Sequence, residues 1–291
     1  MGMPSIAFLG SGVMAEVMIR GLLAGDLSSP DRVWAAGPRP ERAEQLLRNY
    51  GIRATTDNLE AVANAELVVV AVKPVALSGL LAQIRGHLRP NQTVMSIVAA
   101  AHASAIARAL GRPAVVRCIP SLPCRIGRGL TVWTATPEVP EMVRETVRSL
   151  LGTLGKEIYF PDEAQVDRAA AAYGTGPALL AQFVKALEDA AVFVGEPRAL
   201  ARETILEVIL GSAEMMLGSG RHPGEFIDEV ASPGGITSRA LHVLQHGRFP
   251  AVITDAIDAA YRRTLETGSK LDEELLRNLS SPTTAGSSEK S

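Results

Sequence analysis

A doubly wound parallel α/β sheet followed by an all-helical domain is the architecture this sequence predicts, and three observations carry it. From Ser5 to Cys118, short apolar, β-branched runs alternate with helical patterns, as strands and crossover helices do. After Phe160-Pro161-Asp162 the alternation stops, and from Gln165 nearly every stretch has a helical period. The chain has 291 residues, 47% of them hydrophobic, enough for two modest domains with real cores.

Taken in order, Ser5–Leu9 is expected to be the first strand, passing through Gly10-Ser11-Gly12 into a helix patterned from Val17 to Leu23. Val33–Ala36 reads as the second strand and Pro40–Tyr50 as a polar helix. Leu67-Val-Val-Val-Ala-Val72 is bare and β-branched, as a parallel strand buried on both faces must be. A helix over Val75–Leu88, a strand over Gln92–Val98, a helix over Ala103–Leu110 and a strand over Ala114–Cys118 follow, ending in a proline-broken loop. Beyond it the pattern predicts helices at Asp167–Tyr173, Pro177–Phe193, Pro197–Gly218, His222–Val230, Ile236–His246 and Phe249–Leu265. Ser280–Ser291, rich in serine and threonine, has little to bury. The expected division is a sheet domain over 1–162, a helical domain over 163–270 and a disordered tail over 271–291.

Charge and composition exclude several classes. Lysine and arginine total 29 against 31 acidic residues, a net charge of −2, without the basic surplus that a general nucleic-acid binder needs. No apolar run reaches the roughly 18 residues of a membrane span, and the start lacks a basic signal region. Ile6 stands where N-myristoylation needs serine or threonine. Cys118 and Cys124 form neither a disulfide framework nor a CxxC pair. A soluble cytoplasmic protein with a small-molecule partner, and neither nucleic acid nor membrane, is the expectation.

Gly10-Ser11-Gly12-Val13-Met14-Ala15 is a GxGxxA fingerprint placed between a first strand and a helix, the context that turns a weak pattern into a Rossmann dinucleotide cradle. Gly10 permits the tight turn, Gly12 lets the backbone approach a pyrophosphate, and Ala15 lets the helix pack on the strand. About 20 residues on, NAD binders usually place a carboxylate for the ribose hydroxyls. Here Ala35-Ala-Gly-Pro-Arg39-Pro-Glu-Arg42 offers guanidinium groups at the strand tip instead, which suits a 2′-phosphate and favours NADP(H) over NAD(H). The other reading is that Arg39 and Arg42 are solvated residues at a helix start.

Three further stretches are distinctive: Ala71-Val72-Lys73-Pro74 after the buried strand, Gly174-Thr175-Gly176-Pro177-Ala178 opening a long helix, and Ser232-Pro-Gly234-Gly235-Ile236-Thr237 opening another. With the amino-terminal fingerprint, this order resembles the pyrroline-5-carboxylate reductase family, over about Ile6 to Leu265, most specifically from Gly211 to Leu244. The resemblance implies a Rossmann domain and an all-α dimerisation domain that interleaves with a second subunit. It also implies NADPH-dependent reduction of 1-pyrroline-5-carboxylate to L-proline, the last step of proline biosynthesis, between one subunit's cofactor domain and the helical domain of the dimer. Residue by residue it puts Gly10 to Ala15 at the pyrophosphate, Arg39 and Asn58 near the adenosine end, and Ala71, Val72, Lys73 and Pro74, with Ser121, beside the nicotinamide half. Thr237 matches the threonine that bonds the substrate's ring nitrogen. Ser232, Thr175 and the amides of Gly234, Gly235, Ile236 and Thr237 would hold the substrate. Independently, a Gly-Gly turn at a helix start exposes backbone donors suited to a small carboxylate. No metal is implied.

The chain departs from the family in places. The usual Met-Pro-Asn-Thr-Pro loop reads Ile119-Pro-Ser121-Leu122-Pro123, the usual Ser-Gly-Ser-Gly-Pro-Ala reads Tyr173-Gly-Thr-Gly-Pro-Ala178, and Ala100 replaces the glycine of an Ala-Ala-Gly turn. These changes admit a reductase of another cyclic imino acid, such as a six-membered homologue, or a cofactor-binding regulatory paralogue without turnover. His242 and His246, four apart on a helix, lack a third ligand and read as a structural pair. Cys118 and Cys124 read as packing residues, Met215 and Met216 as core filling, and Lys185 beside Glu188 and Asp189 as an ion-pair face. Lys73 reads equally as a site-edge contact and as a structural residue.

Overall fold

The computed structural model describes residues 4–280. Eight strands form one sheet: β1 (Ile6–Leu9), β2 (Val33–Ala36), β3 (Arg53–Thr55), β4 (Leu67–Val70), β5 (Thr93–Ser96), β6 (Val115–Pro120), β7 (Gly129–Ala135) and β8 (Gly155–Tyr159). Their spatial order is β3-β2-β1-β4-β5-β6-β7-β8, so the first six follow the 3-2-1-4-5-6 order of dinucleotide-binding sheets. Strands β1 to β6 pair in parallel, while β7 runs antiparallel to β6 and β8 parallel to β7. The expectation of a wholly parallel sheet is thus corrected at its far edge, where a turn over Leu122–Ile126 reverses the chain.

Side chains alternate across the strands, and each face collects its own core. Ala7 and Leu9 of β1 face a layer formed by α3 (Asn58–Ala63), α4 (Pro74–Ile84) and α5 (Ala103–Leu110). Ile6 and Phe8 face α1 (Val13–Ala24), Leu46 of α2 (Pro40–Tyr50) and Val147, Leu150 and Leu151 of α6 (Glu141–Gly152). All four residues of β1 and of β4 are buried, which accounts for their unbroken apolar sequence. Sequence reading missed β3, α3, α6, β7 and β8. The first is three residues, one exposed and two half-buried, and β7 buries Thr131 and Thr134 where an apolar run would be sought.

The helical half comprises α7 (Glu163–Ala169), a π-helical turn (Ala170–Gly174), α8 (Gly176–Phe193), α9 (Arg198–Ser219), α10 (Pro223–Val230), α11 (Ile236–His246) and α12 (Phe249–Ser280). Two compact units result, with the division later than the expected 162/163 boundary. One holds residues up to Gly174 together with Tyr261 onward; the other spans Thr175–Ala260. In the second unit, Glu188 is the buried residue of α8 and Ala201 that of α9, while Phe193, Val208 and Leu217 lie bare on the single chain.

The expectation of disorder over 271–291 is overturned for 271–280, which continue α12; 281–291 lie outside the described residues. Tyr261, Thr264, Gly268, Leu271 and Leu275 are wholly or partly buried at helical spacing, and Leu271 and Leu275 join the core of the α3–α4–α5 face. At Gly268 the approach is close: a Cβ would lie 2.9 Å from His102 Cε1 and 3.1 Å from the Ala100 carbonyl oxygen. Ala100 itself is left-handed, φ +61°, a backbone that glycine adopts at low cost.

A buried charge cluster fastens this return. Arg117, on β6, is fully buried and donates to Asp167 Oδ1 at 2.5 Å and to Glu163 Oε1 at 3.1 Å, both on α7. His102, capping α5, lies 3.2 Å through Nε2 from Asp167 Oδ2 and 2.7 Å through Nδ1 from Asp272 Oδ2 of α12. Since each ring nitrogen faces a carboxylate, both must donate, which only the imidazolium can do. The bond to Asp167 raises the His102 pKa first, burial opposes it, Asp272 adds to it, and Arg117 draws it back down; the result is about 9. Losing Asp167 would leave Arg117 buried and poorly compensated, a cost of about 3–5 kcal/mol.

The sign of the pH effect follows. With the folded pKa raised from 6.5 to about 9, the stabilisation is complete below pH 6.5 and is lost as pH rises through 9. His102→Gln should therefore melt a few degrees below wild type at pH 6, and the gap should close toward pH 10. Melting curves across that range check it; a gap constant with pH contradicts it.

Candidate active site

At the reversal of winding between β1 and β4, the turns that follow the strands meet along the carboxyl edge of the sheet. Gly10 N donates to Ala36 O at 2.9 Å, Ala71 N to Leu9 O at 2.8 Å, and Gly37 N to Thr55 O at 3.2 Å. Gly10 has φ +103°, and a Cβ there would lie 2.7 Å from the carbonyl carbon and oxygen of Ala71. Only glycine closes this turn.

Gly12 serves differently. It precedes α1 with ordinary backbone angles, and a Cβ added to it meets nothing within 4 Å. Space in front of the helix is open, and no side chain caps its amides. The first helical bond, Glu16 N to Gly12 O at 3.1 Å, leaves the amides of Val13, Met14 and Ala15 without intrahelical partners. Together with the positive helix end they could hold an anion such as a pyrophosphate. Ala15, nearly fully buried, packs α1 on the sheet.

Around this opening the predicted residues divide. Arg39 caps α2 and is exposed, and its guanidinium has no hydrogen-bond or ion-pair partner among the described residues. Arg42, read from sequence as a second candidate guanidinium or a solvated helix-start residue, is neither: it bonds Ser11 O at 3.0 Å, Glu16 Oε2 at 2.5 Å and Gln45 Oε1 at 2.6 Å. Tyr50 donates to Glu16 Oε1 at 3.0 Å. Burial pushes the Glu16 carboxyl up, but the bonds from Arg42 and Tyr50 outweigh it and hold the group below its usual range. Asn58 opens α3 and donates to Gln83 Oε1 at 2.8 Å. Lys73 caps α4, exposed beside an exposed Val75. Ser121 is buried and tied to the reversing turn: its amide donates to Leu130 O and its hydroxyl accepts from Leu130 N at 2.9 Å. Its side chain braces the β6–β7 connection, a use that the sequence did not signal.

The second unit carries the other predicted site. Gly234 is left-handed at φ +69°, and Gly235 N donates to Ser232 O at 3.0 Å. A Cβ on Gly235 would lie 2.4 Å from Ser232 Oγ, and the left-handed backbone of Gly234 favours glycine there. Gly235 then caps α11 with no side-chain bond, and Arg239 N to Gly235 O begins the helix. This corrects one expectation: the Gly235 amide is already engaged, and the orphaned donors are those of Ile236, Thr237 and Ser238. Thr237 is half-buried, and its hydroxyl makes no hydrogen bond among the described residues. Thr175 caps α8, its carbonyl accepting from Ala178 and Leu179.

Elsewhere, Lys185 pairs with Asp189 at 2.6 Å, as expected for a solvated face. His242 and His246 stack edge-on with ring centroids 4.2 Å apart, and among the described residues no group of three metal-ligating side chains assembles. Cys118 is buried, and burial raises its thiol pKa far above the reactive range. The Tyr173 hydroxyl is buried in the π turn, and that burial raises its pKa against the opposing pull of the Val132 backbone. Among the described residues no helix is long and apolar enough to cross a membrane.

Known families match both halves of the chain. Residues 163–267 fit the family described as pyrroline-5-carboxylate reductase dimerisation, and residues 5–100 the one described as NADP oxidoreductase coenzyme F420-dependent. The pyrroline-5-carboxylate reductase of Synechocystis is 33% identical over 91% of this chain and 98% of its own length. That of Pseudomonas aeruginosa is 33% identical over 94% and 100%. Among solved structures, a Coxiella burnetii pyrroline-5-carboxylate reductase superposes with TM-score 0.84 at 28% identity, covering 91% of this chain and 99% of its own. A Plasmodium falciparum pyrroline carboxylate reductase with NADP bound gives 0.83 at 25%, covering 92% and 99%. With an NAD(P)-binding oxidoreductase domain followed by the dimerisation domain over nearly the whole length of its relatives, the chain belongs to the pyrroline-5-carboxylate reductase family.

Proposed function

We propose that this protein reduces 1-pyrroline-5-carboxylate to L-proline with NADPH as the preferred donor, as a homodimer or larger homo-oligomer. The observation that carries the reading is a pair of uncapped, glycine-opened helix starts, one in each unit, with a free threonine hydroxyl on the second. The amides of Val13, Met14 and Ala15 would hold the pyrophosphate in front of Gly12, Arg39 the 2′-phosphate, and the Ala71–Pro74 turn the nicotinamide half. When bound, the reduced dinucleotide supplies the hydride.

The residues of α11 do the rest. Amides of Ile236 and Thr237 bind the carboxylate of the imino acid, and the Thr237 hydroxyl aligns its ring nitrogen. A protonated C=N bond accepts hydride at carbon and leaves a neutral secondary amine, so no side chain has to remove or deliver a proton in that step. The protein's task is to orient two reactants and exclude water. A hydroxyl therefore suffices where another reaction would need a histidine or lysine. The bare apolar side chains of α8 and α9, lying within the dimerisation domain, supply the surface for a second copy.

NADPH oxidation with the five-membered imino acid and its six-membered homologue tests the reading: preference for the five-membered ring supports it. Preference for the larger ring, or binding of NADPH without turnover, contradicts it. Thr237→Ala should lower kcat by about one to two powers of ten, the scale of one aligned transition-state hydrogen bond, with NADPH affinity nearly unchanged. Arg39→Ala should weaken NADPH far more than NADH in equilibrium binding; equal losses would reduce Arg39 to a helix-start residue.

A further inference from the structure

We propose that Arg42 is a positioning residue: it clamps the β1–α1 turn from the side of α2 and sets the direction of the Gly12 amide, leaving recognition of the ribose end to Arg39. The inference rests on the dinucleotide reading above and adds to it the part that shapes the cradle.

The geometry begins with the peptide between Ser11 and Gly12. In a trans peptide the carbonyl and the following N–H point in opposite directions. Arg42 Nε holds Ser11 O at 3.0 Å, so the Gly12 N–H is turned away from α2. Nothing else about Gly12 would enforce that orientation, since glycine tolerates a flipped peptide and has no side chain to wedge it. The clamp is itself anchored. Arg42 Nη2 pairs with Glu16 Oε2 at 2.5 Å, and Tyr50 holds the other carboxylate oxygen at 3.0 Å. Both charged side chains are largely buried, 14% and 24% exposed, so each depends on the other. Gly37 leaves room for the Ser11 side chain: a Cβ there would meet Ser11 Oγ at 2.3 Å. The turn after β1 is thus locked between the turn after β2 and the first rows of α2.

The same contacts bear on cofactor choice. Arg42 has its charge matched by Glu16 and three of its donors engaged, so a ribose phosphate would have to break a buried pair to recruit it. Arg39, exposed and unengaged among the described residues, has no such obligation. The two arginines should separate in binding. One acts on whatever carries a pyrophosphate; the other acts on the 2′-phosphate.

The test is equilibrium binding of NADPH and NADH to the full chain, with Arg42→Gln, Glu16→Gln and the double variant. Each single change should raise both dissociation constants by about tenfold, the scale of one charge-assisted hydrogen bond, leaving the NADPH/NADH ratio unmoved. The double variant should be no worse than either single one, because the pair works as one unit. In turnover the loss should fall on the dinucleotide KM, with the imino-acid KM retained, a split that general loosening of the fold would not produce. Loss of NADPH affinity alone would make Arg42 a phosphate contact and overturn the inference, as would unchanged affinity for both. If Arg42→Gln does not fold, Tyr50→Phe loosens Glu16 while keeping the guanidinium. A loss of about threefold for both cofactors then supports the clamp, and no loss contradicts it. Wild-type protein that binds neither dinucleotide would fail the reading beneath; wild type that binds while the variants match it fails only the clamp.

Discussion

At the reversal between β1 and β4, the backbones of Gly10 and Ala71 lie so close that a single methyl group on Gly10 would sit 2.7 Å from the Ala71 carbonyl. Most of what the first unit offers a ligand depends on that approach. It lets the chain turn off β1 at a left-handed residue and enter α1 with the helix end aimed over the sheet edge. It brings the Ala71–Pro74 turn against the cradle. The crowding at Gly10 and the open space at Gly12 are two sides of one arrangement: the first glycine lets the strands' turns approach, and the second leaves the start of α1 uncovered.

A second constraint holds the far face. A fully buried guanidinium on a central strand is costly unless paired, and Arg117 is paired with two carboxylates of α7, one shared with His102. Through His102 the pairing extends to Asp272 and fastens α12 beside the turn after β5. Leu271 and Leu275 bury the apolar side of the same contact. Charge and packing therefore agree on where the last helix returns, and the return explains why the compact unit that holds the sheet also holds the chain's last helical turns.

Much of this was legible in residues. Leu67–Val70 announced a strand buried on both faces, and the fingerprint at Gly10 to Ala15 stands where its pattern placed it. Ala100, singled out as standing in for a glycine, proves left-handed. What escaped reading was long-range. Arg42 looked like a partner for a ligand because its true partner, Glu16, lies 26 positions away and meets it only once β1 and β2 pair. The helix end after Leu265 was missed although Gly268, Leu271 and Leu275 continue the buried stripe, because serine, lysine and acidic residues dilute it. The Ser121 hydroxyl braces a strand reversal that no local pattern signals.

The chemistry assigned to this chain is hydride transfer from a nicotinamide to the carbon of a cyclic C=N bond. It is tested most directly with NADPH bearing deuterium at both C4 positions, incubated with the protein and 1-pyrroline-5-carboxylate. Mass spectrometry of the product should find proline with one deuterium, on the ring carbon next to nitrogen that does not bear the carboxylate. Unlabelled proline, or no proline from a protein that binds NADPH, would contradict it.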